Sequence, residues 1–579
     1  MPPTRDDEEA ARDDELAVES AEVANQLAAH AVEPPLEMAG SGAGIAAGEV
    51  AAAHETHQKP KPTVARGAAF VTAGIILARL AGLIRQRVQA HYFGTGPFAD
   101  VLTAAFRLGN ITQNLLGEGT LSATFIPIYA KLRAEGKDQE ARKFALAALG
   151  LLAAVAGLAS LLGAVLAPWL SFVIAAGFDD ARREATVSLV RILFPMTGLL
   201  VLSAWSLGVL NAHRQFFLPY AAPVVWSFAQ IAGMVAFGSF LHATGASLAT
   251  ALAWSALVGA GLQLAILLPA ARRRIGSLRP SLDTKDPHVR EAAARLPGAI
   301  AGRGIIQISG LIDTQLVSFL APGDTSAFGY AQTIYLLPMA LLGTGEAAAA
   351  LPELARDTAE QDPEKRNAAM ADRIGQSLGR ITALSVPAGL ALMLLGRELV
   401  AVLVQTGKFD RAATERVGTL LAAYGVSLLA NAAGRVLITA SYALGDTKTP
   451  VRFAIYRVVV STALALALMK PLGVLGVVIG AVVAGWVETI ALGLRLRRNI
   501  GGLGLHHLRL VPAAAAGLLA SGAGLAVRFA LPDSVASTTL ATLPLGPSLS
   551  LAAFGAVFAV VAPAFGLIRL RLPRSLSRR

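Results

Sequence analysis

Runs of about 20 mostly apolar residues recur along almost the whole of this chain, and nothing else in it limits the fold so strongly. Inside a bilayer every backbone amide and carbonyl must be paired within the protein, so runs of this length read as membrane-spanning helices. Fourteen can be counted, at 67–88, 98–118, 144–168, 187–210, 218–241, 246–269, 296–320, 326–350, 379–405, 416–442, 452–470, 472–494, 509–530 and 547–568. With 54% hydrophobic and only 15% charged residues, and a mean hydropathy of +0.56, the 579 residues are too apolar for a soluble protein of this size. The expectation is an all-α polytopic membrane protein of about fourteen transmembrane helices.

Residues 1–65 differ in kind. They hold 13 acidic against 4 basic residues, a net −9, which leaves +20 for the remainder to reach the overall +11. Such a segment predicts a disordered acidic cytoplasmic tail with no signal peptide. Positive charge collects after the even-numbered runs, at Lys131/Arg133/Lys137/Arg142/Lys143, Arg272/Arg273/Arg274/Arg279, Arg356/Lys365/Arg366 and Arg495/Arg497/Arg498. This places both termini in the cytoplasm, including a basic tail at 571–579. The high pI is thus explained without a nucleic-acid partner. The absence of cysteine excludes disulfides and thiolate metal sites.

The two halves repeat. Residues 178–219 match 409–450 at an offset of 231, pairing Phe178-Asp179 with Phe409-Asp410 and Pro219 with Pro450. At an offset of 225, Pro127, Ala130 and Glu135 pair with Pro352, Ala355 and Glu360. Six runs separate the copies, so both cross the membrane in the same direction, related by an axis along the membrane normal. The domains are then an N-lobe at 66–275, a C-lobe at 290–498 and a terminal helix pair at 505–570. Each lobe's second run ends in a glycine-flanked glutamate, Gly117-Glu118-Gly119 and Gly345-Glu346, where a helix break is expected.

The second run carries Asp100, Thr103, Arg107, Asn110, Asn114 and Glu118 within roughly 80° of one helix face. A charge at the bilayer centre costs roughly 2.5–3.5 kcal/mol on insertion scales, so such groups face a partner or a water-filled cavity, and the continuous polar stripe suggests a transport path. Arg79 and Arg85 stand on the first run, Arg303 with Gln307 and Asp313 on the seventh, Ser427, Asn431 and Arg435 on the tenth, and Arg457 and Glu488 beyond. Arginine inside such segments suits an anionic, phosphorylated cargo, because guanidinium holds phosphate in a bidentate way. No GK[ST] phosphate loop and no hydrolase constellation is present, so a transporter without its own ATPase is expected rather than an enzyme. No cofactor is implied. His506-His507 has no third ligand near it in sequence and is not read as a metal site.

The run ARLAGLIRQRVQAHYFGTGPFADVLTAAFRLGNITQNLLGEGTLSATFIPIYAKL, with GKFD at 407–410 and GDTKTP at 445–450, resembles the MurJ/MviN family of lipid II flippases within the multidrug/oligosaccharidyl-lipid/polysaccharide exporter superfamily. The resemblance spans residue 66 to about 500. It implies a V-shaped transporter with two lobes that rock in alternating access. The cargo would be the undecaprenyl-pyrophosphate-linked muropeptide, held in a cationic cavity with its prenyl tail along the last two helices of an inner-membrane protein. Arg79, Arg85, Asp100, Asn110 and Glu118 inherit roles by matching positions, with Arg107, Arg303 and Arg435 added from the polar faces. The chain departs from the family at Gln113, where arginine is common, and at Gln332-Thr333, where an Asp-Arg pair is usual.

Two other readings stay open at this level. One is a flippase for a different polyprenyl-diphosphate oligosaccharide, such as an O-antigen or exopolysaccharide unit. The other is a non-transporting scaffold whose acidic tail recruits cell-wall synthesis proteins.

Overall fold

The computed structural model describes residues 62–567 apart from 118–119, 122–123, 216, 340–349, 351–353, 355, 359–361, 533–537 and 541–542. The acidic tail, Glu118, Gly345-Glu346, the repeat positions 352, 355 and 360, and the basic tail lie outside the described residues.

In chain order the N-lobe comprises α1 (Pro62–Phe93), α2 (Pro97–Leu116), the short α3 (Ile126–Ala134), α4 (Asp138–Val165), the short α5 (Ala167–Ala175), α6 (Asp180–Ala212), α7 (Phe217–Val235) and α8 (Gly245–Ile275). The C-lobe comprises α9 (Pro287–Ser318), α10 (Asp324–Met339), α11 (Pro363–Val404), α12 (Arg411–Ala443), α13 (Lys448–Leu472) and α14 (Val474–Ile500). The terminal pair is α15 (Leu510–Ala530) and α16 (Leu545–Ala564), joined through a two-residue β-ribbon, Thr539–Leu540 against Leu543–Pro544.

Each of the fourteen apolar runs begins on or beside a helix, and residues 340–349 of the eighth lie outside the described residues. Among the described residues ten helices are long and apolar enough to cross a membrane, α4, α6 to α8 and α11 to α16. The four others that carry predicted runs are α1, α2, α9 and α10, the first two helices of each lobe. Helices α2 and α10 are largely buried against protein, whereas α1 also exposes Ile76, Leu80 and Ile84, and α9 exposes Ile308.

Each lobe has its own core. In the N-lobe, Leu102, Leu189, Leu193 and Met196 pack with Leu252, and a second cluster gathers Phe125, Phe144 and Trp205, whose indole Nε1 donates to the Ala145 carbonyl at 3.1 Å. In the C-lobe, Leu420, Leu421, Val436, Val477 and Val478 are buried together. At roughly 1.5 Å per residue the 42-residue α11 is about twice as long as a ~30 Å hydrocarbon core, so one end projects from the bilayer. It bends at Leu395, where φ and ψ leave the helical region.

The repeat is visible in the helices themselves. Helices α6 and α12 each have 33 residues and start at 180 and 411, a separation of 231. Both begin with an aspartate that accepts from a first-turn amide, Asp179 from Arg182 N at 2.9 Å and Asp410 from Ala413 N at 2.8 Å. Such caps satisfy amides that have no partner within the helix, and the buried Phe178 and Phe409 pack directly before them. Residue for residue, the offset read from the sequence is the offset between two equivalent helices.

The terminal pair packs on α11. A Cβ at Gly517 would collide with Pro387, and one at Gly524 with Leu395, so helix α15 approaches α11 at close range. An ion pair of 2.6 Å from Arg528 to the buried Glu398 ties the far end of α15 to the same helix.

Candidate functional site at the junction of the lobes

The lobes are joined by polar contacts gathered around the start of α2 and the start of α10. Asp100 lies in the first turn of α2 and is fully buried. Its Oδ2 accepts from Gly323 N at 2.6 Å and its Oδ1 from Ser326 N at 2.8 Å. Those amides belong to the first turn of α10, where N–H groups lack intrahelical partners and the helix dipole favours an anion. A carboxylate of one lobe thus caps a helix of the other. Arg182 supplies the countercharge from α6, with its NH1 3.4 Å from Asp100, its Nε 2.7 Å from Asp179 and its guanidinium 4.6 Å over the Phe178 ring.

Further bonds surround this corner. Lys408 N donates to the His91 carbonyl at 2.9 Å, His91 Nδ1 lies 3.0 Å from Thr406 Oγ1, and Arg87 donates to the Val402 carbonyl at 2.7 Å. On the other side, Ala176 N donates to Gln315 Oε1 at 3.0 Å and Gly177 N to Ser318 Oγ at 3.1 Å. Gly323 has φ of +96°, and a Cβ there would strike the Thr95 carbonyl of the opposite lobe. Only glycine meets both demands.

Two turns further along α2, Arg107 NH1 donates to Gln332 Oε1 on α10 at 3.0 Å. The two positions are 225 residues apart, the offset of the earlier repeat. Repeat-equivalent residues therefore face one another, and α2 and α10 cross on the pseudo-twofold axis. Gln332, one of the two departures from the family in that helix, is the neutral acceptor for this guanidinium.

Asn110 and Asn114 continue the α2 face, both half-buried. The helix then stops: Gly117 has ψ of −135° and closes the last turn through a bond from its N–H to Gln113 O, as the glycine-flanked glutamate predicts. Arg79 on α1 is half-buried and has no polar partner among the described residues. Arg85 is placed differently from its family role in a cavity wall. It is 4% exposed, donates to Gln230 Oε1 at 3.1 Å and lies 5.0 Å over Trp226, so it is held inside the N-lobe between α1 and α7.

In the C-lobe, Arg303 falls within α9, and its side chain lies outside what is described. Gln307, Asp313 and Thr314 on the same helix are buried. Half-buried Arg435 stands one turn from Asn431 on α12, which donates to the Tyr335 hydroxyl at 2.7 Å, with Ser427 Oγ at 3.2 Å from the same oxygen. Arg457 and Glu488 form a 3.1 Å ion pair between α13 and α14. Asp100 and Arg107, both on α2, thus reach α10 of the opposite lobe, whereas Arg85 sits within its own lobe's packing.

Sequence reasoning missed Arg182, Gly323 and Ser326, and named Gln332 only as a departure from the family. Arg182 could have been found, since it follows by three residues the aspartate of the duplicated Phe-Asp motif. The two backbone amides carry no side-chain signal.

The family described as lipid II flippase MurJ matches residues 89–542 of this chain. A probable lipid II flippase MurJ of Rhizobium meliloti (strain 1021) is 35% identical over 433 residues, 73% of this chain and 79% of the relative. The lipid II flippase MurJ of Burkholderia cenocepacia is 29% identical over 436 residues, 74% and 83% of the two chains. Among solved structures, a lipid II flippase MurJ in an inward closed conformation superposes with a TM-score of 0.67 at 18% identity, covering 86% of this chain and all of that one. An inward-facing multidrug resistance MATE family transporter of the MOP superfamily superposes with a TM-score of 0.60 at 18% identity, covering 73% and 95%. The last two establish a shared transporter fold, and the family match together with the Rhizobium relative establishes descent: the chain belongs to the lipid II flippase MurJ family.

Proposed function

We propose that this protein carries lipid II, the undecaprenyl-pyrophosphate-linked muropeptide, from the cytoplasmic to the periplasmic face of the inner membrane by alternating access. The observation that carries the reading is the buried Asp100 capping α10 of the opposite lobe, a polar joint between lobes made by groups that water can equally well satisfy once they part. The basic connections at Arg272–Arg274 and Arg495–Arg498 lie at the other end of the lobes, so the positive-inside rule puts the joint on the periplasmic side and both termini in the cytoplasm.

In this reading the cargo enters between the lobes from the cytoplasm. Arg79, without a protein partner, meets the pyrophosphate in a bidentate way, and Asn110 and Asn114 offer amide groups to the glycan. Arg435 adds positive charge from the C-lobe, and Arg303 a further cation. Arg85 acts by holding α1 against α7 rather than by touching cargo. The surface between α11 and the terminal pair takes the prenyl chain, which has no reason to leave the lipid. Parting of Asp100 from α10 opens the periplasmic side, and the carboxylate keeps Arg182 as its partner through that step. With no ATPase motif in the chain, the energy comes from an ion gradient, the membrane potential or removal of the product.

The test is depletion of the protein in its own cell, with lipid II quantified on each face of the inner membrane. Complementation by wild type clears cytoplasmic-face lipid II, and complementation by Arg79→Ala or Asp100→Ala leaves it there. Normal lipid II with loss of another surface glycan would reassign the cargo. Normal levels of both, with loss of function on removing residues 1–60, would point to the scaffold instead.

A further inference from the structure

Away from the lobe junction, the connection between α14 and α15 folds onto the projecting end of α11. Gly504 adopts φ of +57°, and the short 3-10 turn Leu505–His507 follows it. Two glycines on α11 make room: a Cβ at Gly375 would collide with the Gly504 carbonyl, and one at Gly379 with the His507 carbonyl. This docking delivers to His506 and His507 the third group that is absent from their neighbourhood in sequence. Asp372 of α11 places Oδ1 2.6 Å from His507 Nε2 and 3.9 Å from His506 Nε2, and one ligand atom from each of the three residues lies within 4.8 Å of the others.

We propose that Asp372, His506 and His507 form a binding site for a divalent transition-metal ion of the zinc type. Two imidazole nitrogens and one carboxylate oxygen are a donor set suited to such ions, which take nitrogen at ~2.0–2.1 Å and carboxylate oxygen at ~2.0–2.2 Å. Tetrahedral donors at those lengths stand roughly 3.3–3.5 Å apart, so the ion needs the His507–Asp372 contact to open slightly and the His506 contact to close slightly. Both side chains can move, since Asp372 is about half exposed at 50% and His506 is 72% exposed. The open side leaves a coordination position for water. Gln376, one turn along α11, donates to Asp372 Oδ2 at 2.7 Å and so turns Oδ1 toward the histidines, the outer-shell support that metal carboxylates commonly have.

An ion here would cross-link the α14–α15 connection to α11. Helix α15 is already tied to α11 at its far end by Arg528 and Glu398, and Arg509 at its start donates to the Gly566 carbonyl beyond α16. Occupancy would fix both ends of α15 on α11 and hold the terminal pair at one angle to the C-lobe. This inference does not depend on the identity of the cargo.

The experiment uses the full chain in detergent, purified with an affinity tag free of histidine and stripped with chelator. Cobalt(II) is titrated as an optical probe and then displaced with zinc. The wild type is expected to bind one saturable equivalent, with visible d–d absorption that zinc abolishes. His506→Ala, which removes a 72% exposed side chain with the longer contact to Asp372 and a ring contact to His507, should weaken cobalt binding at least tenfold while changing the metal-free melting temperature little. Gln376→Ala should weaken it by about tenfold through the outer shell. His507→Ala and Asp372→Asn should abolish it. Absence of saturable cobalt binding in the wild type, or binding that His506→Ala and Gln376→Ala leave unaltered, would overturn the proposal.

Discussion

Helices α6 and α12 are copies of one element, and their first turns have diverged. Both have an aspartate cap over a buried phenylalanine. In α6 the third residue is Arg182, which reaches the buried Asp100. Its equivalent in α12 is Ala413, and the cation stands one turn later as Arg416, 3.5 Å from Asp324 at the start of α10. Asp100 is 0% exposed and bonds the opposite lobe, whereas Arg416 is 46% and Asp324 13% exposed and both belong to one lobe. Duplication preserved the scaffold and the idea of an aspartate–arginine corner, but only the N-lobe copy became the joint. The C-lobe contributes backbone amides in exchange, which is all that a helix start needs to offer an anion.

Substitutions at the two corners should differ most. Asp100→Ala leaves the buried Arg182 with Asp179 alone and the amides of Gly323 and Ser326 uncapped, and removing one member of a buried pair costs roughly 3–5 kcal/mol. We expect loss of complementation and loss of lobe closure, whereas Asp324→Ala should complement. Because the chain has no cysteine, a His91→Cys/Thr406→Cys pair with a short thiol crosslinker reports closure directly. Equal crosslinking in both backgrounds would break the comparison.

The cations should follow the same order. Arg182→Ala is expected to destabilise the detergent-solubilised protein by about 3 kcal/mol or more, since Asp100 would remain buried. Arg416→Ala should cost less, about 1 kcal/mol, because Arg416 is itself 46% exposed and water can reach the pair. Thermal unfolding of the two variants side by side decides this.

The axis itself offers a smaller and more informative change. Gln332→Glu converts the bond from Arg107 into a charged one, and a charge-assisted bond is worth about 1.5–3 kcal/mol against about 1 for a neutral one. Closure at the joint should become more complete and turnover slower. Gln332→Arg sets two guanidinium groups against each other and should reduce crosslinking at the His91/Thr406 pair. Unchanged crosslinking in both would mean that the axis contributes nothing to closure.

The last prediction concerns the other ends of α6 and α12, capped by His213 and Leu444, which are again repeat equivalents. Burial, and then the positive charges of Arg133 and Arg274, hold the His213 imidazole down at about 4 from an ordinary 6.5, while Tyr129 Oη lies 3.0 Å from its Nε2. The folded protein therefore keeps this histidine neutral between those values, while the unfolded chain protonates it. Stability contributed by the neutral form is present above pH ~6.5 and is lost as the pH falls toward ~4. Partial exposure makes the effect small. Melting temperatures of wild type and His213→Leu, which copies the C-lobe residue, should converge at pH 7.5 and separate at pH 5, with the wild type losing more.

How much of this was legible beforehand differs between helix and partner. Periodicity assigns Asp100, Arg107, Asn110 and Asn114 to one face of α2, because 3.6 residues per turn is a local property. It suggested a transport path along that face, and two of its members, Asp100 and Arg107, instead bond the start and middle of α10 in the opposite lobe. It could not separate Arg85 from Arg79, since both are compatible with an interior position and only the placement of Trp226 and Gln230 on α7 draws Arg85 into the lobe.

Taken alone, the sequence determined the membrane class, the helical runs, the 231-residue repeat and the family, all of which depend on local hydropathy or on patterns copied along the chain. Tertiary structure decided what each polar group meets: Asp100 with amides 223 and 226 residues away, Arg107 with its own repeat equivalent 225 residues away, and Asp372 with His507 135 residues away. A buried charge must find a partner to offset its desolvation, but that requirement does not name the partner, and in the case of a backbone amide no side chain marks it. Only the crossing of α2 with α10, and the close approach that glycine allows between α11 and its neighbours, brings those groups within hydrogen-bonding distance.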